Sequence, residues 1–181
     1  IPVGGSVVFS SDKKLIKAIN ENYPGRASVN TVLDLFICLC SLGKKGFGDR
    51  IKKRKQCFEL MRSELKLFAT QNNEKVICNS RNRISMAFTL SSLGEKAEDF
   101  GAYLYHRSVF GARVVTSNSS LKTICGMQLR NFNGHTNESY IGFPYVTIAS
   151  AIGITIPEVD EFLTRFKKSF IEFRDLHQIK N

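Results

Sequence analysis

The strongest constraint on the fold is the break at Gly43-Lys44-Lys45-Gly46, which separates two segments of different helical character. Two glycines within four residues are typical of the end of a helix. Residues 29–42, before the break, are apolar on nearly every side, a pattern that predicts a buried helix. Residues 47–71, after it, predict a long amphipathic helix. The sequence therefore predicts a division into residues 1–44 and residues 45–181.

The remaining pattern mixes strands and helices, as expected for an α/β chain with an α+β C-terminal part. The first part is predicted to hold a strand and two helices, in the manner of the tail of a larger domain. The second part is predicted to pack helices on one face of a mostly antiparallel sheet. Predicted strands lie at residues 3–9, 75–78, 84–90, 111–115 and 123–129, and predicted helices at 13–22, 29–42, 47–71, 94–107, 144–153 and 157–176.

The charge balance favours an anionic partner. The 181 residues include 26 Lys and Arg against 16 Asp and Glu, a net charge of +10. Such an excess is typical of proteins that bind nucleic acid, phosphorylated ligands or an acidic membrane surface, and it also promotes solubility. No apolar run approaches the length of a membrane span, so no membrane partner is expected.

The cysteine pattern indicates a reducing compartment, which we expect to be the cytoplasm. Five cysteines occur, an odd number, with no C-x-x-C pair and no spacing typical of a metal site. We expect reduced and mostly buried thiols, and no metal.

Arg26 is the first candidate for binding an anion. It follows Pro24-Gly25, where the backbone can turn sharply, and precedes Ser28, a good N-cap for the helix behind it. Free N–H groups at a helix start carry partial positive charge, and a guanidinium fork suits phosphate or carboxylate. The alternative is a structural salt bridge within the fold.

Three further side chains are candidates with open alternatives. Arg107, next to Tyr105 and His106, could contact or stack on a nucleotide base, or could simply be a cation at a helix C-terminus. Arg113 could bind a carboxylate, or could occupy a solvent-facing position of a strand. His135 is expected to form a structural hydrogen bond in a loop.

Several runs taken together resemble the O-phosphoseryl-tRNA(Sec) selenium transferase family, in the order found there and over essentially the whole chain. No single run is decisive, but the set is specific. The runs are Pro2-Val3-Gly4-Gly5, Tyr23-Pro24-Gly25-Arg26-Ala27-Ser28 with Leu33-Asp34, residues 39–43, Gly111-Ala112-Arg113-Val114-Val115, His135-Thr136-Asn137 and Ala149-Ser150-Ala151-Ile152-Gly153.

This resemblance implies an aminotransferase-like, pyridoxal-phosphate-dependent transferase that makes selenocysteinyl-tRNA(Sec) with selenophosphate. Residues 1–44 would be the tail of its large cofactor-binding domain, and residues 45–181 its small domain. Arg26 would contact the substrate phosphoryl group, and Arg107 would contact the acceptor end of the tRNA. Arg174, in the final helix, would bind near the tRNA backbone. Asp175 stands where relatives can carry a basic residue.

The resemblance covers only the C-terminal part of such an enzyme, which would be a homo-oligomer of the dimer or tetramer type. It places the Schiff-base lysine and most of the cofactor pocket upstream of Pro2. We therefore expect this chain alone to be inactive. The alternatives are the tail of another pyridoxal-phosphate lyase or decarboxylase, and a noncatalytic RNA-binding module.

Overall fold

The computed structural model describes residues 8–23, 25, 29–116, 122–129 and 142–178. The chain divides into two compact units, Ile1–Arg50 and Ile51–Asn181. The boundary that the sequence predicts between residues 44 and 45 lies just before this division, and its meaning as a domain boundary stays a prediction. The strand predicted at residues 3–9 falls largely outside the described residues.

In the first unit, helix α1 spans Lys13–Asn22 and begins as the sequence predicts. Asp12 is its N-cap, and the Asp12 carboxylate accepts hydrogen bonds from the backbone N–H groups of Lys14 (2.8 Å) and Leu15 (3.4 Å). These bonds satisfy donors that have no partner inside the helix. No residue of α1 is buried.

Helix α2 spans Val29–Gln71, and Gly43 interrupts it with a φ of 60° and a ψ of 179°. The predicted break is thus a local departure from helical geometry, at a residue that adopts positive φ without steric cost. The expected burial of residues 29–42 is wrong: the side chains of Val32 and Phe36 are each 63% exposed. An apolar helix becomes buried only where neighbouring elements cover it.

The second unit packs helices on one face of a sheet whose strand order is β1-β2-β6-β3. All three pairings within the sheet are antiparallel. A separate hairpin joins β4 and β5. The strands are β1 Val76–Asn79, β2 Asn82–Thr89, β3 Arg113–Val115, β4 Lys122–Ile124, β5 Met127–Leu129 and β6 Tyr145–Ala149; the helices that follow α2 are a 3-10 segment at Ser91–Lys96, α3 Ala97–His106 and α4 Ile156–Leu176.

The core lies between the sheet and the helices and is rich in phenylalanine. Phe88 of β2 is fully buried, and its ring lies 5.3 Å from Phe166 and 5.5 Å from Phe170, both in edge-to-face geometry. Such pairs stabilise a core beyond their buried area. Phe100 of α3 and Phe173 of α4 extend this packing, with ring centroids 5.2 Å apart. The predicted layer of helices on an antiparallel sheet is confirmed.

Two predicted elements are wrong. Residues 144–153 were expected to be a helix, but Tyr145–Ala149 form the strand β6 between β2 and β3. Tyr145 and Val146 are both buried at the start of the strand, and burial alternates only from Val146 onwards, with Ile148 buried and Ala149 exposed. The predicted strand 123–129 is instead the β4–β5 hairpin, turning at Cys125 and Gly126, which both have positive φ.

The cysteines are all free thiols, as expected. Their expected burial is wrong for most of them, because only Cys57 is buried while Cys40 and Cys125 are exposed. Desolvation on burial raises the pKa of the Cys57 thiol, so Cys57 behaves as a small apolar core residue. Among the described residues, no cluster of three or more metal-binding side chains occurs. No helix in the same ranges has the length and apolar character to cross a membrane.

Candidate nucleic-acid interface

Arg107 stands at the C-terminal end of α3, and the backbone geometry there fixes its position. The N–H of Val109 donates to the Leu104 carbonyl (3.0 Å), and the N–H of Ser108 donates to the Tyr105 carbonyl (3.0 Å). These two bonds form a Schellman motif, with Ser108 at the position usually taken by glycine and a φ of 58°. Val109 is buried and anchors the turn. A cation at this helix end is also favoured by the helix dipole.

The Arg107 side chain is held on two sides. Its Nε donates to the Glu172 carboxylate at 3.2 Å, and its guanidinium carbon lies 3.4 Å from the centroid of the Tyr103 ring. The side chain is still 38% exposed. The exposed part of the guanidinium can therefore donate to an acceptor from solution.

Arg107 borders a cleft of about 430 Å³ between the end of α3 and helix α4. Three cationic side chains and one carboxylate line this cleft, so positive charge prevails. The lining residues are Arg107, Ser108, Arg165, Lys168, Ser169 and Glu172.

The cations of α4 are fixed by contacts along and across the helix. Arg165 donates from Nε to Glu161 (2.5 Å) and from Nη1 to the backbone carbonyl of Ser108 (3.3 Å). Lys168 Nζ lies 3.8 Å from Glu172 Oε1. Because Glu161 and Glu172 pair with these cations one turn away, part of the positive charge is neutralised within the helix.

Two exposed aromatic side chains flank Arg107 in sequence. Tyr105 and Phe110 are each 65% exposed, and their rings meet edge to face with centroids 5.2 Å apart. Tyr105 stands two residues before Arg107, a spacing at which helical side chains lie on different faces, and the aromatic ring that contacts the guanidinium is that of Tyr103. The predicted contact of Arg107 with a nucleotide base stays a prediction.

Arg174 lies in a different environment, because its side chain is buried. Only 8% of the residue is exposed, and Nη1 donates to the Asn72 side-chain oxygen at 3.0 Å. Its guanidinium carbon lies 5.6 Å from the Phe170 ring centroid. Its Nε is buried with no hydrogen-bond partner among the described residues. These contacts favour a structural role within α4, and the predicted tRNA contact of Arg174 stays a prediction that the geometry does not favour.

Of the other predicted candidates, the structure describes Arg113, whereas Arg26 and His135 lie outside the described residues. Arg113 is exposed on the edge strand β3, where its backbone carbonyl accepts a hydrogen bond from Thr147. That position agrees with the solvent-facing alternative. The structure brings Arg107 together with Arg165, Lys168 and Glu172.

Sequence reasoning missed Tyr103 and Glu172 at this interface. Tyr103 stands four residues before Arg107, a spacing at which side chains meet on a helix, so this pair could have been found. Glu172 reaches Arg107 from another helix, 65 residues further along the chain, and no local pattern signals that contact.

A pyridoxal-phosphate site needs an enclosed lysine for the cofactor carbonyl. No lysine whose side chain is described is buried. The described residues therefore do not by themselves fit this cofactor, and the position of the Schiff-base lysine upstream of Pro2 stays a prediction.

Comparison with known proteins supplies the family. The sequence model described as "O-phosphoseryl-tRNA(Sec) selenium transferase, SepSecS" matches residues 1–171. The protein of that name from Dictyostelium discoideum is 35% identical over 188 residues, which cover 94% of this chain and 39% of the relative. The Caenorhabditis elegans protein of the same name is 38% identical over 174 residues, covering 96% of this chain and 36% of the relative.

A solved structure agrees in fold. The crystal structure of an archaeal O-phosphoseryl-tRNA(Sec) selenium transferase superposes with a TM-score of 0.66 at 22% identity, covering 88% of this chain and 33% of that chain. This chain thus spans little more than a third of the length of the relatives it matches. The assignment of residues 1–44 to the tail of a large domain stays a prediction. The resemblance seen in the sequence is confirmed: the chain belongs to the O-phosphoseryl-tRNA(Sec) selenium transferase family.

Proposed function

We propose that the protein containing this chain converts O-phosphoseryl-tRNA(Sec) to selenocysteinyl-tRNA(Sec), with selenophosphate as selenium donor and pyridoxal phosphate as cofactor. The family match over residues 1–171 supports this activity, and it favours the transferase over an unrelated lyase or decarboxylase. We further propose a homo-oligomeric enzyme of the cytoplasm. Pyridoxal phosphate would supply an electron sink for bonds at the substrate α-carbon.

The part played by this chain is to bind the acceptor arm of the tRNA through Arg107. The observation that carries this proposal is the guanidinium of Arg107, which Glu172 and Tyr103 hold while its side chain stays 38% exposed beside a cationic cleft. A partly exposed guanidinium can donate hydrogen bonds to a base edge or to a phosphate.

A second role is proposed for Arg26, on the sequence alone. The phosphate of the phosphoseryl group gains negative charge as its bond to the serine carbon breaks. A guanidinium that contacts this phosphate stabilises the developing charge. The Pro24-Gly25 turn and the following helix start suit an anion site of this kind.

The tRNA contact is tested by replacing Arg107 in the protein expressed from its complete gene. Arg107→Ala is expected to weaken binding of the tRNA(Sec) acceptor arm roughly 5- to 150-fold, the effect of losing a base-edge contact of about 1–3 kcal/mol. Arg62→Ala is the matched control, because Arg62 is 40% exposed and pairs with Glu59 on α2. Equal affinities of the Arg107→Ala and Arg62→Ala variants would remove Arg107 from the interface.

The role of Arg26 is tested by turnover. Arg26→Ala is expected to abolish selenocysteinyl-tRNA formation while the absorbance of bound pyridoxal phosphate is unchanged. Arg26→Lys keeps the charge but not the fork, and we expect it to recover only part of the rate. An Arg26→Ala enzyme with the full rate on phosphoseryl-tRNA would contradict the proposal.

A further inference from the structure

We propose that Glu172 and Tyr103 are positioning residues that orient Arg107 so that it distinguishes one base of the acceptor arm from another. The proposal rests on the proposed contact between Arg107 and tRNA. In this proposal, Glu172 increases the discrimination between bases and decreases the affinity for RNA in general.

The geometry restricts the guanidinium in two independent ways. Glu172 Oε2 accepts from Arg107 Nε at 3.2 Å, which fixes the rotation of the group about its long axis. The Tyr103 ring, 3.4 Å from the guanidinium carbon, fixes the plane of the group. Tyr103 also donates its hydroxyl proton to Glu172 Oε2, at 3.4 Å. The three side chains thus form one connected cluster in which Arg107 has few alternative rotamers.

The cluster is anchored in the core and does not depend on surface loops. The Tyr103 ring packs edge to face on Phe173 at 5.1 Å, and Phe173 is buried. Glu172 precedes Phe173 on α4, and Tyr103 lies one turn before Arg107 on α3. Desolvation is the main cause that raises the pKa of the Tyr103 hydroxyl, so this group stays protonated and able to donate near neutral pH.

The negative charge of the Glu172 carboxylate also reduces the attraction between the cleft and RNA. Glu172 contacts two cations of the cleft, Arg107 and, through Oε1, Lys168 at 3.8 Å. A negative charge beside a phosphate-binding surface reduces association with any nucleic acid, whatever its sequence. A fixed guanidinium fork, in contrast, favours only the base edge that matches its two donors.

If the pair of Arg107 and Glu172 only stabilised the fold, its loss would have a different effect on RNA binding. The Arg107 and Glu172 side chains are 38% and 39% exposed, and pairs of that exposure contribute up to about 1 kcal/mol to folding. Losing such a pair would lower the affinity for every RNA by the same factor. The ratio of affinities for two RNAs therefore separates positioning from structural support.

The experiment measures the dissociation constants of a panel of tRNA(Sec) acceptor arms, each with one base changed near the 3′ end, for the protein expressed from its complete gene. When the changed base is the one that Arg107 contacts, the wild-type protein is expected to bind the unchanged arm more tightly than the changed arm. The Arg107→Ala variant is expected to bind both arms with the same affinity. Glu172→Gln is expected to lower the discrimination at that base about threefold or more, and to bind the changed arms as tightly as wild type or more tightly.

Further variants separate the two contacts. Tyr103→Leu, which removes the ring, is expected to lower the discrimination as Glu172→Gln does, whereas Tyr103→Phe, which keeps it, is expected to retain most of it. Glu64→Gln is the matched control, since Glu64 is also 39% exposed and its carboxylate pairs with Lys167 of α4 at 2.8 Å. Unfolding midpoints of all variants report any loss of structure.

The outcomes distinguish the two proposals. If Arg107→Ala changes neither affinity nor base choice, the proposed tRNA contact fails, and this inference fails with it. If Arg107 sets the base choice but Glu172→Gln leaves it unchanged, or weakens all arms equally, only the positioning role is overturned.

Discussion

Both units of this chain contain apolar segments, but the two segments differ in how far their side chains are buried. In the first unit, Phe36 is 63% exposed and no residue of α1 is buried. In the second unit, Phe88 is fully buried among the rings of Phe166 and Phe170. The difference shows that the pattern of apolar residues sets the tendency of a segment to be buried, while the elements around it decide whether burial occurs.

The largest expected effect tests this contrast directly. Phe88→Ala removes a fully buried ring and is expected to lower the free energy of unfolding by about 3–5 kcal/mol. Phe36→Ala, made in the same 181-residue chain, is expected to change it by less than about 0.5 kcal/mol. Urea unfolding followed by circular dichroism measures both. Equal losses would mean that the face of α2 around Phe36 is covered in solution.

The next effect concerns a buried carboxylate of the second unit. Glu74 accepts hydrogen bonds from Thr89, from the N–H groups of Ser91 and Ser92 (3.0 and 2.7 Å), and from the Ser92 hydroxyl. Glu74→Ala leaves these donors without their acceptor, and we expect it to lower the free energy of unfolding by about 2 kcal/mol.

The control for Glu74 is the exposed Glu95, which lies in the 3-10 segment Ser91–Lys96 that also contains the donors Ser91 and Ser92. Glu95→Ala is expected to have little effect on urea unfolding. A Glu74→Ala variant as stable as the Glu95→Ala variant would show that water replaces the Glu74 carboxylate without cost.

A smaller effect is expected at the start of α4, where Thr155 and Glu158 form a capping box. Thr155→Ala removes an N-cap worth about 1 kcal/mol. Hydrogen bonds from Thr155 lower the pKa of Glu158 below its ordinary value of 4.5. Stabilisation by ionised Glu158 is therefore present above that pH and is lost as the pH falls through the lower pKa of the folded state.

The measurement for this cap is stability against pH. Unfolding midpoints recorded as the pH falls below 4.5 are expected to decline less steeply for Thr155→Ala than for the wild-type chain. Parallel declines for the two proteins would show that the Thr155 bonds do not set the pKa of Glu158.

The smallest effect on global stability is expected at the matching cap of the first unit. Asp12→Ala removes the acceptor for Lys14 and Leu15, so α1 should fray. Since α1 buries no residue, the unfolding midpoint of the second unit should not move. Hydrogen exchange of the α1 amides reports the fraying. A lower midpoint for the second unit would show that the two units are coupled in stability.

Much of the fold could be predicted from local signals. Asp12 before α1, Gly43 within α2 and Pro157 at the start of α4 each mark a helix boundary or break through its own backbone chemistry. Strand β6 was mistaken for a helix because it follows Pro144, which is typical of a helix start. Its Val146, Thr147 and Ile148 are β-branched or strand-favouring residues, and they pack between β2 and β3 in a way that no local period indicates.

The candidate site, too, could be predicted from the sequence only in part. Arg107 could be found because it stands at the end of the helix predicted at residues 94–107, next to Tyr105 and His106 in the sequence. The contrast between Arg107 and Arg174 could not be found: both are arginines near the end of a helix, yet one is 38% exposed in its side chain and the other is buried beside Asn72. Exposure depends on which helix face meets the core.

The sequence by itself determined the family, the starts of α1 and α4 and the excess of positive charge, because each is carried by residue identities and short spacings. Only the tertiary structure decided that Glu172 of α4 holds Arg107 of α3, that β6 joins the centre of the sheet and that the apolar residues of α2 near Phe36 are exposed. Each of these depends on which segments, distant in sequence, come into contact. That choice is made by the free energy of the whole packed unit and not by any local segment.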